Sequence, residues 1–457
     1  MPVFSRCVRL PASRAEAFAW HERPGAFERL APPWDPPRVV ERRGGIRDGD
    51  TLTLELRRGP LRLRWRAEHR DYRPGESFTD VQAGGPFARW EHTHRFETEG
   101  PDSCRLEDRI EYALPLGALG AALGERALRR QLAAVFAYRQ RVTADDLRAH
   151  APCREGGPMH VAVTGASGLL GSALVPYLTT GGHAVTRLVR GRPGEGEVGW
   201  DPRAARLDGP LPGGGAVVHL AAESIAAGRW TAAKKEVLRQ SRVQATRHLA
   251  TALAAQERPP AVFVGASAIG FYGDRGDEVL DEDAPAGAGF LAELARAWEA
   301  AAEPLVARGV RVVHLRFGVV LAPAGGALAK MLPAFRLGAG GPVGSGRQWF
   351  SWVALDDALD AVHFALATPS LRGPVNVVAP EAVRQGDFAR ALGRVLRRPA
   401  LAPLPAFAAR LAFGEMADHL LLASTRVDAR RLREHGFRFR HASLDDALRH
   451  ALGRARA

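Results

Sequence analysis

The 457-residue chain is 46% hydrophobic and carries a formal net charge of +13, which predicts a globular protein of more than one domain with large cores. No apolar run can span a bilayer, and the N-terminus lacks the apolar core of a signal peptide. Three scattered cysteines (Cys7, Cys104, Cys153) argue against a disulfide framework and fit a cytoplasmic protein. Arginine is spread along the whole chain while lysine occurs only as Lys234, Lys235 and Lys330; this is compositional bias without a nucleic-acid motif, so neither DNA nor RNA is an expected partner.

Residues 1–148 read as one α+β module. A strand at Phe4–Leu10 precedes a short helix at Ala12–Trp20, capped by Ser13, and a second helix at Pro24–Leu30. Strands follow at Arg38–Arg43, Thr51–Arg57, Leu61–His69, Ser77–Gln82, Ala88–Thr98 and Ser103–Ala113. The alternation in Leu61-Arg62-Leu63-Arg64-Trp65-Arg66-Ala67 predicts an antiparallel sheet with one wet face. A long amphipathic helix at Leu119–Leu147 closes the module. His92-Thr93-His94 places two imidazoles on one strand face. No third ligand is evident nearby, so surface histidines and no metal site are expected. This element order, with Arg29-Leu30-Ala31-Pro32-Pro33-Trp34, resembles the START/polyketide-cyclase-like helix-grip (SRPBCC) superfamily. The resemblance implies a curved sheet and long helix around a pocket for an apolar ligand.

Residues 149–158, rich in Pro and Gly, read as a linker. Beyond it, predicted strands (Met159–Thr164, Ala184–Val189, Ala216–Leu220, Ala261–Ala266, Arg311–Phe317, Val375–Val378) alternate with predicted helices. Those helices cover Leu169–Thr180, Ala232–Ala255, Leu291–Arg308, Ala327–Leu337 and Leu355–Ala367. The pattern predicts an α/β doubly wound Rossmann domain with a parallel sheet over 159–380, and a small helical C-terminal lobe over 381–457. Gly165, Gly168 and Gly171 lie between a β-branched strand and a helix, the setting in which this spacing binds a dinucleotide pyrophosphate. Ser167, Leu169, Leu170, Leu220 and Ala221 complete the expected cofactor site. Arg190 ends the second strand where an NAD-selective site would carry an acid, so NADP is expected over NAD. Ser267 and Tyr272, past the fourth strand, are the candidate catalytic residues. Glu223, Arg229 and Arg347 are substrate candidates, Glu223 also as a proton donor. Gly338–Gly346 reads as a mobile loop over the cleft, and Asp356-Asp357 as a helix N-cap.

Residues 159–453 resemble the atypical extended short-chain dehydrogenases/reductases of the sugar-nucleotide epimerase-like family. The motifs are Thr164-Gly165-Ala166-Ser167-Gly168-Leu169-Leu170-Gly171, His219-Leu220-Ala221-Ala222-Glu223-Ser224-Ile225, Ser241-Arg242, Ser267-Ala268-Ile269-Gly270-Phe271-Tyr272-Gly273, Trp298-Glu299 and Gly344-Ser345-Gly346-Arg347-Gln348-Trp349. The resemblance implies an NAD(P)-dependent oxidoreductase or epimerase acting on a small molecule. The superfamily's Tyr-x-x-x-Lys pair is missing: counted back from Glu299, it falls on Leu291 and Ala295. The alternative is a non-catalytic NADP-binding sensor. Substrate, front-module ligand and oligomeric state are not readable from the sequence.

Overall fold

Alternating charged and apolar side chains drive the front of the chain into extended structure, because only a strand puts every second residue on one face. The computed structural model describes all residues except 60, 154, 155, 212 and 455–457. Two residues of the predicted linker, Arg154 and Glu155, therefore lie outside the described residues. The chain divides into two compact units, Met1–Pro158 with Pro176–Gly182 and Leu452–Ala457, and Met159–Val175 with His183–Ala451. Among the described residues no helix is long and apolar enough to cross a membrane.

The first unit contains β1 (Val3–Leu10), α1 (Arg14–Glu22), α2 (Ala26–Leu30), β2 (Arg38–Arg43), β3 (Thr51–Arg58), β4 (Leu61–Arg73), β5 (Ser77–Gly84), β6 (Arg89–Gly100), β7 (Ser103–Ala113) and α3 (Gly117–His150). Ser13 caps α1, its Oγ accepting from the Glu16 amide at 3.3 Å. The seven strands form one antiparallel sheet in the order β1-β7-β6-β5-β4-β3-β2. One core cluster gathers Phe18, Trp20, Phe78, Phe96 and Leu147, and another gathers Trp90, Ile110, Tyr112 and Phe136. Each aromatic fully buried there contributes about 2–3 kcal/mol of transfer free energy.

The sequence expectation for His92 and His94 is corrected here. Both face inward, 3% and 7% exposed, because β6 also buries Trp90 and Phe96 on that face. The register sets Asp80 opposite His92 and Asp108 opposite His94. Carboxylates thus face both imidazoles from neighbouring strands, which local spacing cannot reveal.

The second unit contains β8 (His160–Thr164), α4 (Leu169–Thr180), β9 (Ala184–Val189), β10 (Glu197–Asp201), β11 (Arg206–Leu207), β12 (Ala216–His219), α5 (Ala232–Arg239), α6 (Ala245–Ala254), β13 (Val262–Ala268), β14 (Val279–Leu280), α7 (Phe290–Ala300), α8 (Glu303–Val306), β15 (Arg311–Phe317), β16 (Val319–Leu321), α9 (Gly326–Arg336), β17 (Trp349–Phe350), β18 (Trp352–Ala354), α10 (Leu355–Ala367), β19 (Gly373–Val377), β20 (Val383–Arg384), α11 (Gln385–Leu396), α12 (Ala406–Phe413), α13 (Glu415–Ala417), β21 (Arg426–Val427), α14 (Arg430–Glu434) and α15 (Leu444–Ala451). The main sheet runs β11-β10-β9-β8-β12-β13-β15-β19. It is parallel apart from the β10–β11 edge. This is the Rossmann-like arrangement, with its switch point between β8 and β12.

Three local expectations change. β10 and β11 extend the sheet beyond β9 although Glu197–Asp201 has no strand periodicity of its own; pairing with β9 makes it extended. The long helix over 232–255 contains a π turn at Gln240–Gln244. The predicted helix 291–308 breaks after Ala300, and Pro304 opens the next short helix.

Candidate functional site

β8 delivers Thr164 and then Gly165, whose φ of +70° favours glycine. A Cβ at Gly165 would lie 2.7 Å from the Ala221 amide nitrogen, and one at Gly171 would lie 2.2 Å from the Gly165 carbonyl oxygen. The turn therefore packs directly on the backbone leaving β12. Ser167 and Gly168 are exposed at its crest, with Leu169 and Leu170 half-buried beneath. Leu220 and Ala221 form the opposite wall. The start of the 12-residue helix α4 faces this crevice. Its positive end and the bare glycine backbone suit a pyrophosphate.

A hydroxyl–imidazole chain holds the two walls together. Thr164 Oγ1 accepts from the Leu220 and Ala221 amides at 3.1 and 3.2 Å and sits 2.7 Å from His219 Nδ1. With both lone pairs used, the Thr164 hydroxyl donates to Nδ1. His219 then carries its proton on Nε2 and donates to Thr246 Oγ1 at 3.0 Å, which also accepts from Trp298 Nε1. His219 is fully buried, and burial pulls its pKa down to about 4, in keeping with this neutral tautomer.

Past β9, Arg190 lines a cleft with Gly191, Trp200, Pro202, Arg203 and Arg206. Arg206 is paired with Asp208. Arg190 is exposed and has no carboxylate within ion-pair distance among the described residues. Asp201, which lines the cleft together with Asp208, accepts from the Arg203 and Ala204 amides. Three arginines against two carboxylates leave the cleft a small positive excess, with Arg190 unpaired, which suits a phosphate.

Ser267 and Tyr272 do come together, through groups the sequence reading did not assign. Ser267 Oγ donates to Glu299 Oε1 at 2.6 Å. Arg316 clamps both oxygens of Glu299 at 2.8 Å and donates to the Tyr272 hydroxyl at 2.9 Å. Tyr272 donates onward to Asn376 Oδ1 at 2.7 Å. Arg316 also lies 3.5 Å from the Phe271 ring centroid. Tyr272, expected to be catalytic, stands inside this network. It is fully buried, its oxygen is engaged on both sides, and burial pushes its pKa up. Leu291 and Ala295, in the positions of the absent pair, are buried core residues of α7.

Glu223 is exposed and pairs with Lys234 at 2.9 Å. That hydrogen bond holds its carboxyl below the usual range, with Arg190 and Arg242 adding to the effect. The shift disfavours the protonated form that a proton donor needs. Arg242 is the residue the sequence reading undervalued. It sits in the π turn, 8% exposed, beside the Trp298 ring, with one long bond to Ser241 and no carboxylate partner among the described residues. Burial pulls its pKa down to about 10, so it stays charged. π turns inside α-helices are frequent at functional sites. The sequence signal was the Ser241-Arg242 motif and the rarity of lysine: Lys234 and Lys330 both converge on the 223–226 loop.

Arg229 braces α12, donating to the Leu411 carbonyl at 2.9 Å. Arg347 is exposed, and its carbonyl accepts from Arg384. The glycine segment before it is not a free loop: Gly344 and Gly346 donate to Leu404 and Val343, and Val343 donates to Gln385. Asp356 and Asp357 are buried in the first turn of α10, whose N-cap is Ala354. Asp357 accepts the Arg440 and His441 amides and so anchors the C-terminal segment.

Comparison with known proteins places these parts. Residues 161–378 match the NAD dependent epimerase/dehydratase family, 10–136 the polyketide cyclase/dehydrase and lipid transport family, and 404–451 a domain of unknown function. An epimerase family protein of Mycobacterium tuberculosis is 44% identical over 296 residues, 64% of this chain and 98% of that protein. A structure described as the nucleoside-diphosphate sugar epimerase from Corynebacterium glutamicum is 34% identical. It covers 98% of this chain and 90% of its own, with a TM-score of 0.79. Human epimerase family protein SDR39U1, solved with NADPH, is 34% identical over 64% of this chain and 99% of its own, with a TM-score of 0.60. With its glycine crevice, Rossmann-like sheet and these relatives in agreement, the chain belongs to the NAD dependent epimerase/dehydratase family.

Proposed function

We propose that the protein is an NADP-dependent oxidoreductase or epimerase, organised as a helix-grip module (1–148), a linker (149–158), a Rossmann domain (159–380) and a C-terminal lobe (381–457). The observation that carries this reading is the crevice between the Gly165–Gly171 turn and Leu220–Ala221, where no side chain could stand in place of Gly165 or Gly171. Bound NADP would supply a hydride acceptor or donor. Arg190, with Arg203 nearby, would hold the 2′-phosphate, and the NADPH of the human relative supports that choice. Ser267, kept in place by Glu299 and Arg316, would hydrogen-bond a substrate hydroxyl. Arg242 suits a phosphate-bearing substrate, as the sugar-nucleotide description of the Corynebacterium relative also suggests. The front module would hold an apolar ligand, and a cytoplasmic location fits the three scattered cysteines.

Titration with NADPH and NADH tests this. NADPH should bind more tightly, and Arg190→Ala should weaken NADPH roughly 10–100-fold, the worth of a charge-assisted bond, while sparing NADH. Absence of binding to either nucleotide, or an unchanged preference in Arg190→Ala, overturns the cofactor reading. A second reading, an NADP-binding sensor without turnover, is favoured by one feature. Leu291 and Ala295 leave α7 with neither the phenol nor the ammonium of the usual acid/base pair. Substrate-dependent change in NADPH absorbance separates the two.

A further inference from the structure

Four polar side chains interrupt the apolar interior of the first unit. Asp80, His92, His94 and Asp108 come from three adjacent strands, β5, β6 and β7, and share one face by register. Phe78 stacks on His94 at 4.2 Å, and the Phe136 ring meets His92 edge-on at 5.2 Å. The side chains of His92, His94 and Asp108 are 4%, 9% and 5% exposed, and that of Asp80 is 19% exposed. Four such groups in an apolar core are costly unless their charges and lone pairs are matched.

The atomic spacing is that of a coordination shell. One ligand atom each from Asp80, His92 and His94 lie within 4.8 Å of one another. Asp80 Oδ2 is 3.0 Å from His92 Nδ1 and 3.6 Å from His94 Nε2. Bonds of about 2.0–2.1 Å in a tetrahedral site put ligand atoms roughly 3.3 Å apart, and these distances bracket that value. On the far side, Asp108 Oδ1 lies 3.3 Å from His92 Nε2 and 2.9 Å from His94 Nδ1, and Gln140 Nε2 donates to its other oxygen at 3.3 Å. A carboxylate behind ligating imidazoles, itself hydrogen-bonded, is the usual outer shell of a metal site.

Neither ring nitrogen of His94 is held by a hydrogen bond. His94 Nδ1 is buried and has no hydrogen-bond partner. It approaches Asp108 closely but off the line a hydrogen bond needs. Its Nε2, at 3.6 Å from Asp80, is beyond hydrogen-bond range of that oxygen.

We propose that the first unit binds a divalent transition metal ion of the zinc class through Asp80, His92 and His94, with Asp108 orienting the His92 imidazole. Two nitrogens and one oxygen select zinc or cobalt over magnesium or calcium. Three protein ligands leave a fourth position for water or an oxygen of a bound ligand. Asp80, the least buried of the three, gives the ion its approach. The site is independent of the nucleotide crevice and of the activity proposed for the second unit.

The test uses the full chain produced without a histidine tag, stripped with a chelator and titrated with Zn²⁺ and Co²⁺. The expected result is one tightly bound equivalent, visible absorption bands on Co²⁺ loading, and a melting temperature that rises with metal. Asp80→Asn and His94→Gln, checked for native circular dichroism, should lose at least tenfold in affinity and the Co²⁺ bands. His450→Gln serves as the control, because Asp356, His441 and His450 form a second group of suitable composition; it should bind normally. If the first-unit variants do not fold, zinc absorption fine structure of His450→Gln decides, and one retained ion with two imidazole ligands supports the site. Failure of the wild type to hold any equivalent, retention in folded His94→Gln, or loss in His450→Gln overturns it.

Discussion

Gly171 has no room for even a methyl group, since the nearest atom to its missing Cβ is a backbone carbonyl oxygen 2.2 Å away. Backbone cannot yield as a flexible side chain can. Gly171→Ala should therefore cost about 1–3 kcal/mol of stability, read by denaturant unfolding, and weaken NADPH binding at least tenfold by tilting α4 away from the crevice. Arg316 is the second sensitive residue. Its bidentate pair with Glu299 is nearly buried, at 4% and 12% side-chain exposure. Arg316→Met strands the carboxylate beside Ser267 and should destabilise by roughly 3–5 kcal/mol. The double variant Glu299→Gln/Arg316→Met should recover part of that loss, because no charge is left unpaired; a loss equal to or larger than that of Arg316→Met alone would contradict a charge-based cause.

At the scale of elements, the junction of β8, β12 and α6 depends on a neutral His219. Its folded pKa is about 4, against about 6.5 in an unfolded chain. Between those values the unfolded chain binds a proton that the native one refuses, so stability falls as pH drops from 6.5 towards 4, by at most ~1.4 kcal/mol per pH unit. His21 and His363, also lowered by burial, add slope of the same sign. His219→Asn should remove one proton's share of it, seen in denaturant melts at pH 7, 6 and 5. The π turn between α5 and α6 is a similar case of an element set by its surroundings: it brings Arg242 onto Trp298, where an unbroken α-helix would rotate the following residues by about 100°.

For the whole molecule, two ligands are expected to act on separate parts of the chain. Hydrogen exchange with saturating NADPH should slow the 161–171 and 219–223 segments, and Zn²⁺ should slow the 77–84 and 89–100 strands. At one hundred times its dissociation constant either ligand adds about 2.7 kcal/mol to the part it binds. Protection by NADPH in the first unit's sheet alone would contradict the assigned crevice.

Much of this architecture is legible from local pattern. Alternation in Leu61–Ala67 marks a one-sided strand, and strand–glycine–helix over Val161–Leu170 marks the crevice, because each signal lies within a few residues and follows backbone geometry. The Leu355–Ala367 helix has the bounds its periodicity predicts. What escapes a linear reading is whatever depends on partners far along the chain. Glu299 and Arg316 become the support of Ser267 only when α7 packs over β13 and β15. Glu223 gains an ion-pair partner only because Lys234 folds back onto it. His92 and His94 turn from two strand residues into half of a buried quartet because β5 and β7 set carboxylates opposite them. Side-chain period and turn chemistry are properties of sequence, whereas burial, ion pairing and protonation are properties of what lies across the fold. The sequence alone determined the Rossmann-like parallel sheet and the glycine turn that opens it; the tertiary structure decided which charged groups meet, and so which of them can hold a phosphate, a proton or a metal.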